Sequence, residues 1–240
     1  MKVKLYITCL LLAILSTNID AKTYLVSVGV SDYPGTTYDL RLPDSDAKII
    51  KYIYSKNSDA EIVLLTNSNA TKNNILAKMR STFSKACSND IIVLFFSGHG
   101  SPEGTFCAYD DYIQYSEIRQ VMAASKAKTK IIYADACFAG NMRQGRENSH
   151  NQSFAQYNIM LFLSSRNDES SIEKGYMKYG IFTNCLQKAL RGGADTNGDR
   201  KITAKELFLY VSKYVKQISN DRQHPVMWGK FDDDMVVMKW

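Results

Sequence analysis

Ile91-Ile92-Val93-Leu94-Phe95-Phe96-Ser97-Gly98-His99-Gly100 is the stretch of this 240-residue chain that decides its architecture. Six apolar residues in succession, without polar alternation, describe a strand covered on both faces, as in a parallel sheet flanked by helices. The run ends at Ser-Gly, and a histidine follows. Lys130-Ile131-Ile132-Tyr133-Ala134-Asp135-Ala136-Cys137-Phe138-Ala139-Gly140 repeats the design, with a cysteine at the strand's end. Sites in open α/β sheets are assembled at the carboxyl ends of strands. His99 and Cys137 therefore read as a proton acceptor and a nucleophile set side by side.

Working outward, the same patterning predicts further strands at 24–30, 61–66, 159–165 and 235–239, which with 91–97 and 130–135 make six. Helical periodicity predicts helices over 44–56, 71–86, 116–124, 182–191 and 203–219, with Ser116 as an N-cap ahead of Glu117. The expected class is α/β: a mostly parallel six-stranded sheet between two layers of helices. Residues 139–156 are polar, rich in Asn, Gln, Ser, Gly and Arg, and show no apolar period. They are expected to form a surface loop between a large first part, 22–138, and a smaller second part, 157–240.

The N-terminus predicts export. Lys2 and Lys4 precede an apolar run from Leu5 to Leu15, and Ala21 supplies a small residue before a cut. That run is shorter than the roughly 20 residues of a membrane-spanning helix, so it reads as a signal peptide, residues 1–21, of a periplasmic or secreted protein. The full chain carries a formal charge of +6. Removing the peptide takes Lys2, Lys4 and Asp20 and changes this by one. No basic run is interleaved with aromatics, so nucleic acid is not an expected partner. Outside the signal peptide stand Cys87, Cys107, Cys137 and Cys185. If Cys137 is to stay a thiol, at most one disulfide forms among the other three.

A thiol of ordinary pKa, about 8.5, is mostly protonated at neutral pH, and hydrolysis of a peptide needs the thiolate, so Cys137 calls for a base. His99 fits that role better than His150, which falls in the polar loop, or His224, which precedes Pro225 in an expected turn. Gly100 lets the backbone approach a substrate, and the N–H groups of Gly100 and Cys137 are the expected oxyanion donors. Taken alone, S-G-H-G is an ordinary turn and a buried cysteine an ordinary small hydrophobe. Their joint placement at two strand ends is what carries the reading.

At these residues the chain resembles the caspase-like cysteine peptidases, nearest the bacterial and metacaspase branch. There the histidine lies in [YF]-S-G-H-G and the cysteine in D-[SA]-C-x-[SA]-G, matched by Phe96 to Gly100 and Asp135 to Gly140. Val26 to Tyr33 resembles the family's opening strand and turn, Leu42 to Ala47 its step into the first helix, and Leu163 to Arg166 and Gly180 to Thr183 its substrate-side strand and following helix. The resemblance implies a caspase-like three-layer fold and peptide-bond hydrolysis by a Cys-His dyad. Metacaspase-like members line the primary pocket with acidic residues, which correspond to Asp46 and Asp135, so cleavage after Arg or Lys is implied. Against this, Asp46 can serve simply as a helix-start residue and Asp135 as a strand end. An extended substrate is expected to pair with the backbone of Ser164 and Ser165. Arg143 and Arg146 are candidate self-processing sites. The alternative function is a caspase-fold protein that binds peptides or partners without turnover.

Asp195-Thr196-Asn197-Gly198-Asp199-Arg200-Lys201-Ile202-Thr203-Ala204-Lys205-Glu206 places Asp195, Asn197, Asp199 and Glu206 at the 1, 3, 5 and 12 positions of a calcium loop. Arg200 stands where such a loop wants glycine. The competing reading is structural: Thr203 and Glu206 form a T-x-x-E capping box behind a tight turn, and the altered sixth position favours it. No cofactor is required by the expected chemistry, calcium is a candidate ligand, and zinc lacks a histidine and cysteine cluster.

Overall fold

The computed structural model describes residues 21–56, 59–101, 103–137, 157–166 and 176–239. In chain order it contains β1 (Thr23–Gly29), α1 (Pro43–Tyr54), β2 (Ala60–Thr66), α2 (Lys72–Phe83), β3 (Ile91–Gly98), β4 (Gly100–Ser101), β5 (Thr105–Cys107), β6 (Tyr112–Gln114) and α3 (Tyr115–Ala124). There follow β7 (Thr129–Ala136), β8 (Ile159–Leu163), α4 (Ile181–Lys188), β9 (Lys201–Thr203), α5 (Ala204–Ser219), β10 (Val226–Trp228) and β11 (Val236–Lys239). The main sheet runs in the order β10-β8-β7-β3-β1-β2, parallel except for β10.

The continuous apolar strands have the two covers that their sequence demands. Successive residues point to opposite faces, so Leu94, Phe96, Ile132 and Ala134 join the core under α2 and α3, while Val93, Phe95, Ile131 and Tyr133 join the core under α1, α4 and α5. Helix α1 starts with Pro43 at its first turn and buries Ala47, Ile50, Ile53 and Tyr54, an i, i+3, i+6, i+7 stripe. Helix α5 buries Ala204, Leu207, Val211 and Val215 at i, i+3, i+7 and i+11.

Three expectations change. The sixth strand is β10, antiparallel to β8, whereas 235–239 supplies β11, which pairs with β9 in a separate two-stranded sheet. Three half-buried residues, Val226-Met227-Trp228, are too short a run to announce a strand, and the longer apolar 235–238 announced one in the wrong sheet. Second, a small sheet, β4-β5-β6, follows His99; its strands of two and three residues are too short to show alternation. Third, α3 begins at Tyr115, and Gln114 occupies its N-cap: the Gln114 N–H donates to Glu117 Oε2 at 2.9 Å, which leaves Ser116 inside the first turn. The loop expected at 139–156 lies outside the described residues.

Candidate active site

Register brings the two strand-end motifs together. Strands β3 and β7 pair in parallel with Gly98 opposite Ala136, so His99 and Cys137 are the next residues on adjacent strands, whose spacing is about 4.8 Å. Beyond them the backbones touch: a Cβ built on Gly100 would overlap the Cys137 carbonyl, so only glycine permits this approach. The two expected oxyanion donors therefore stand side by side just past the ends of β3 and β7.

Two tyrosines that sequence reasoning missed hold the histidine. The imidazole Nε2 lies 2.8 Å from the Tyr38 carbonyl. A carbonyl only accepts, so Nε2 carries the proton and the neutral ring keeps Nδ1 as its basic nitrogen. Tyr33 accepts the His99 backbone N–H on its hydroxyl at 3.0 Å and donates to the Cys107 carbonyl at 3.2 Å. The first contact uses a main-chain oxygen, which no residue pattern can reveal. The second was hidden because Tyr33 reads as part of a turn, 66 residues from its partner.

The two aspartates also converge. Asp46 and Asp135 are 1% and 5% exposed, and both approach Gly180 at the start of α4, whose built Cβ would stand 3.3 Å from Asp46 Oδ2 and still closer to Asp135. The Gly180 N–H donates to Asp46 Oδ1 at 3.0 Å and Ser97 Oγ to Asp46 Oδ2 at 2.8 Å. Thr183 donates to Asp135 Oδ2 from its N–H at 3.1 Å and its hydroxyl at 2.7 Å. Two buried carboxylates side by side repel. The N–H groups and positive end of α4 offset that repulsion.

Ser164 and Ser165 are fully buried and turn their hydroxyls to Ala136, the residue before Cys137. Ser164 Oγ accepts the Ala136 N–H at 3.2 Å and donates to the Ala136 carbonyl at 3.1 Å, and Ser165 Oγ donates to the same carbonyl at 3.4 Å. The backbone pairing with substrate expected of Ser164 needs correction. Its N–H already donates to the Ala134 carbonyl at 2.9 Å, and its own carbonyl accepts Gln223 Nε2 at 3.0 Å.

A family model described as the caspase domain matches residues 23–236. This chain belongs to the caspase family. No curated protein sequence matches it. Among solved structures, caspase-1 of Spodoptera frugiperda is similar with a TM-score of 0.66 at 14% identity, over 92% of this chain and 91% of that one. A Geobacter sulfurreducens protein is similar with a TM-score of 0.64 at 15% identity, over 88% and 95% respectively. The α/β fold is that of caspases, and family membership implies a cysteine peptidase acting on proteins.

Elsewhere in this caspase domain, the four described cysteines Cys87, Cys107, Cys137 and Cys185 are free of disulfides. Burial pushes the Cys107 thiol up to about 11 and Cys185 to about 12. Neither is suited to act as a thiolate nucleophile at neutral pH. In the acidic loop, Arg200 adopts the left-handed backbone (φ 64°) where glycine was wanted. Asp195 accepts the Gly198 and Arg200 N–H groups, Asn197 Oδ1 that of Asp199, and Asp199 Oδ1 that of Lys201. Glu206 takes Thr196 on one oxygen and Thr203 on the other, and the Thr203 hydroxyl accepts the Glu206 N–H: the capping box is formed. Among the described residues no group of three His, Cys, Asp or Glu side chains is arranged to hold a metal ion. Arg143 and Arg146 lie outside the described residues.

Proposed function

We propose that this chain is an exported cysteine endopeptidase that cleaves after arginine or lysine, with Cys137 as nucleophile and His99 as its base. The observation that carries this reading is the Tyr38 carbonyl on His99 Nε2, because it fixes the tautomer that a base beside a thiol requires. In the proposed reaction Nδ1 takes the Cys137 proton, and the thiolate attacks the scissile carbonyl carbon. The resulting oxyanion is held by the Gly100 and Cys137 N–H groups. The imidazolium then protonates the leaving amine, and water, with its proton taken by the same nitrogen, hydrolyses the thioester and restores the thiol.

Specificity for a cationic side chain is supported by the buried Asp46 and Asp135 pair, which a guanidinium or ammonium would pair with by charge-assisted hydrogen bonds. Residues beside Ser165 would take the extended peptide, and Arg143 or Arg146 would be the self-processing site. The proposed reaction needs no cofactor. Export rests on the N-terminal pattern; among the described residues no helix is long and apolar enough to cross a membrane.

The test is hydrolysis of fluorogenic peptides ending in Arg, Lys or Asp by residues 22–240, with and without calcium, beside the Cys137→Ala variant. Turnover after Arg and Lys that disappears in the variant is expected. Turnover of none of the peptides, including after limited proteolysis within 139–156, would replace this reading with peptide binding without catalysis.

A further inference from the structure

We infer that Ser164 and Ser165, backed by Gln223, are positioning residues that set the orientation of the oxyanion-binding N–H of Cys137. The inference rests on the proposed peptidase reaction. A peptide unit is planar and trans, so the carbonyl of one residue and the N–H of the next point in opposite directions within one rigid group. The Cys137 N–H therefore belongs to the same plane as the Ala136 carbonyl. Whatever fixes that oxygen fixes the direction of the N–H donor.

Two buried hydroxyls fix it. Ser164 Oγ donates to the Ala136 oxygen at 3.1 Å, and Ser165 Oγ reaches it at 3.4 Å. Ser164 uses its lone pair as well, taking the Ala136 N–H at 3.2 Å, so one hydroxyl grips both ends of the residue before the nucleophile. Toward β3 the ladder reaches Ala136 opposite Gly98, but toward β8 ladder pairing does not extend this far. The β7–β8 register ends with Ala134 opposite Leu163, two residues before Ala136. The serine hydroxyls continue the contact between the strands where main-chain pairing stops. Donation to the Ala136 oxygen also polarises the amide and makes its N–H a stronger donor.

Ser164 is itself held from the far side. Strand β10 pairs only up to Val226 opposite Leu163, and the Gln223 side chain supplies the next rung by donating from Nε2 to the Ser164 carbonyl at 3.0 Å. Gln223 is fully buried, and its N–H donates to Ser219 Oγ at the end of α5 at 3.1 Å. The end of α5 is thus linked through Gln223 and Ser164 to the nucleophile's peptide.

A donor that acts on the tetrahedral oxyanion, rather than on bound substrate, changes kcat and leaves KM. It also leaves untouched any reaction of Cys137 that builds no oxyanion. Alkylation by iodoacetamide is such a reaction, a direct displacement at carbon. The experiment compares wild type, Ser164→Ala, Ser165→Ala and the double variant for kcat and KM on the best Arg or Lys peptide, and for the iodoacetamide rate at Cys137 by mass spectrometry. Expected are a fall in kcat of about tenfold for Ser164→Ala and about twofold for Ser165→Ala, with KM and alkylation rate within about twofold of wild type, given the usual worth of a supporting hydrogen bond. Should Ser164→Ala not melt cooperatively, Gln223→Met replaces it, with a several-fold loss of kcat alone expected. Unchanged kcat in the double variant overturns the inference, as does equal loss of kcat and alkylation, which marks a structural role. Absence of Cys137-dependent turnover in wild type overturns the peptidase reading and this inference with it.

Discussion

Tyr33 ties His99 to the hairpin beyond it. One phenol oxygen takes the His99 backbone N–H and gives its own proton to the Cys107 carbonyl, while the two rings lie 5.1 Å apart, centroid to centroid. Burial raises the pKa of this phenol, so it remains a donor throughout any neutral working range. Tyr33→Phe keeps the ring and removes both bonds. It is expected to destabilise the fold by about 1–3 kcal/mol, the cost of stranding buried polar groups, and to lower kcat more than it raises KM. Chemical denaturation and steady-state kinetics on one preparation check both.

Gly100→Ala tests the contact between the two strand ends. The added methyl would overlap the Cys137 carbonyl, which is backbone and has little room to retreat. Peptidase activity should fall by about a hundredfold or more, in line with loss of an oxyanion donor. Stability should fall by about 1–3 kcal/mol. An alanine variant with near wild-type turnover would show that the site does not depend on this close approach of the two backbones.

At the proposed primary pocket, Gly180→Ala places a methyl against both carboxylates. The proposal predicts a rise in KM for Arg and Lys peptides with a smaller change in kcat. Asp46→Asn should raise KM by about 10- to 100-fold, the worth of a charge-assisted hydrogen bond, and do less to an uncharged peptide. Equal losses on charged and uncharged peptides would count against an acidic pocket.

Glu206 provides a pH test remote from catalysis. Although burial acts the other way, donors from Thr203 and Thr196 hold its carboxyl at about 2, below the ordinary 4.5. A carboxyl with a lower pKa folded than unfolded contributes its stability in full above pH about 4.5 and loses it as pH falls toward 2. Thermal midpoints followed from pH 6 to pH 2 should therefore decline less steeply in Glu206→Gln than in wild type. At pH 6 the variant should be less stable by about 1 kcal/mol through loss of the full capping box. A calcium-dependent rise in the wild-type midpoint, lost in the variant, would favour the calcium reading of this loop.

How legible each feature was follows from its range in the sequence. Buried strands such as Ile91–Phe96 declare themselves because they are apolar on both faces, and the His99 and Cys137 pairing follows once two such strands adjoin. Asp46 and Asp135 were found through resemblance, since nothing local to either predicts that they meet beneath Gly180. Val226–Trp228 stayed hidden because three residues carry no period. Tyr38 holds His99 Nε2 with its carbonyl, a group every residue has. Ser164 was assigned to substrate because its strand was recognised, whereas its actual contact is a hydroxyl turned to Ala136. Residue type reports chemistry, but not the direction in which a side chain leaves a strand.

The pairing of β7 with β8 has a consequence for covalent continuity. These strands flank residues 138–156 in the chain, yet they lie side by side in the sheet, joined by five registered pairs and by the serine grip on Ala136. Cutting the backbone anywhere between them divides the polypeptide without dividing the molecule. Such a nicked protein should run as two bands under denaturing conditions and sediment as one particle in native buffer. Its two pieces would need each other as much as the halves of an uncut chain do.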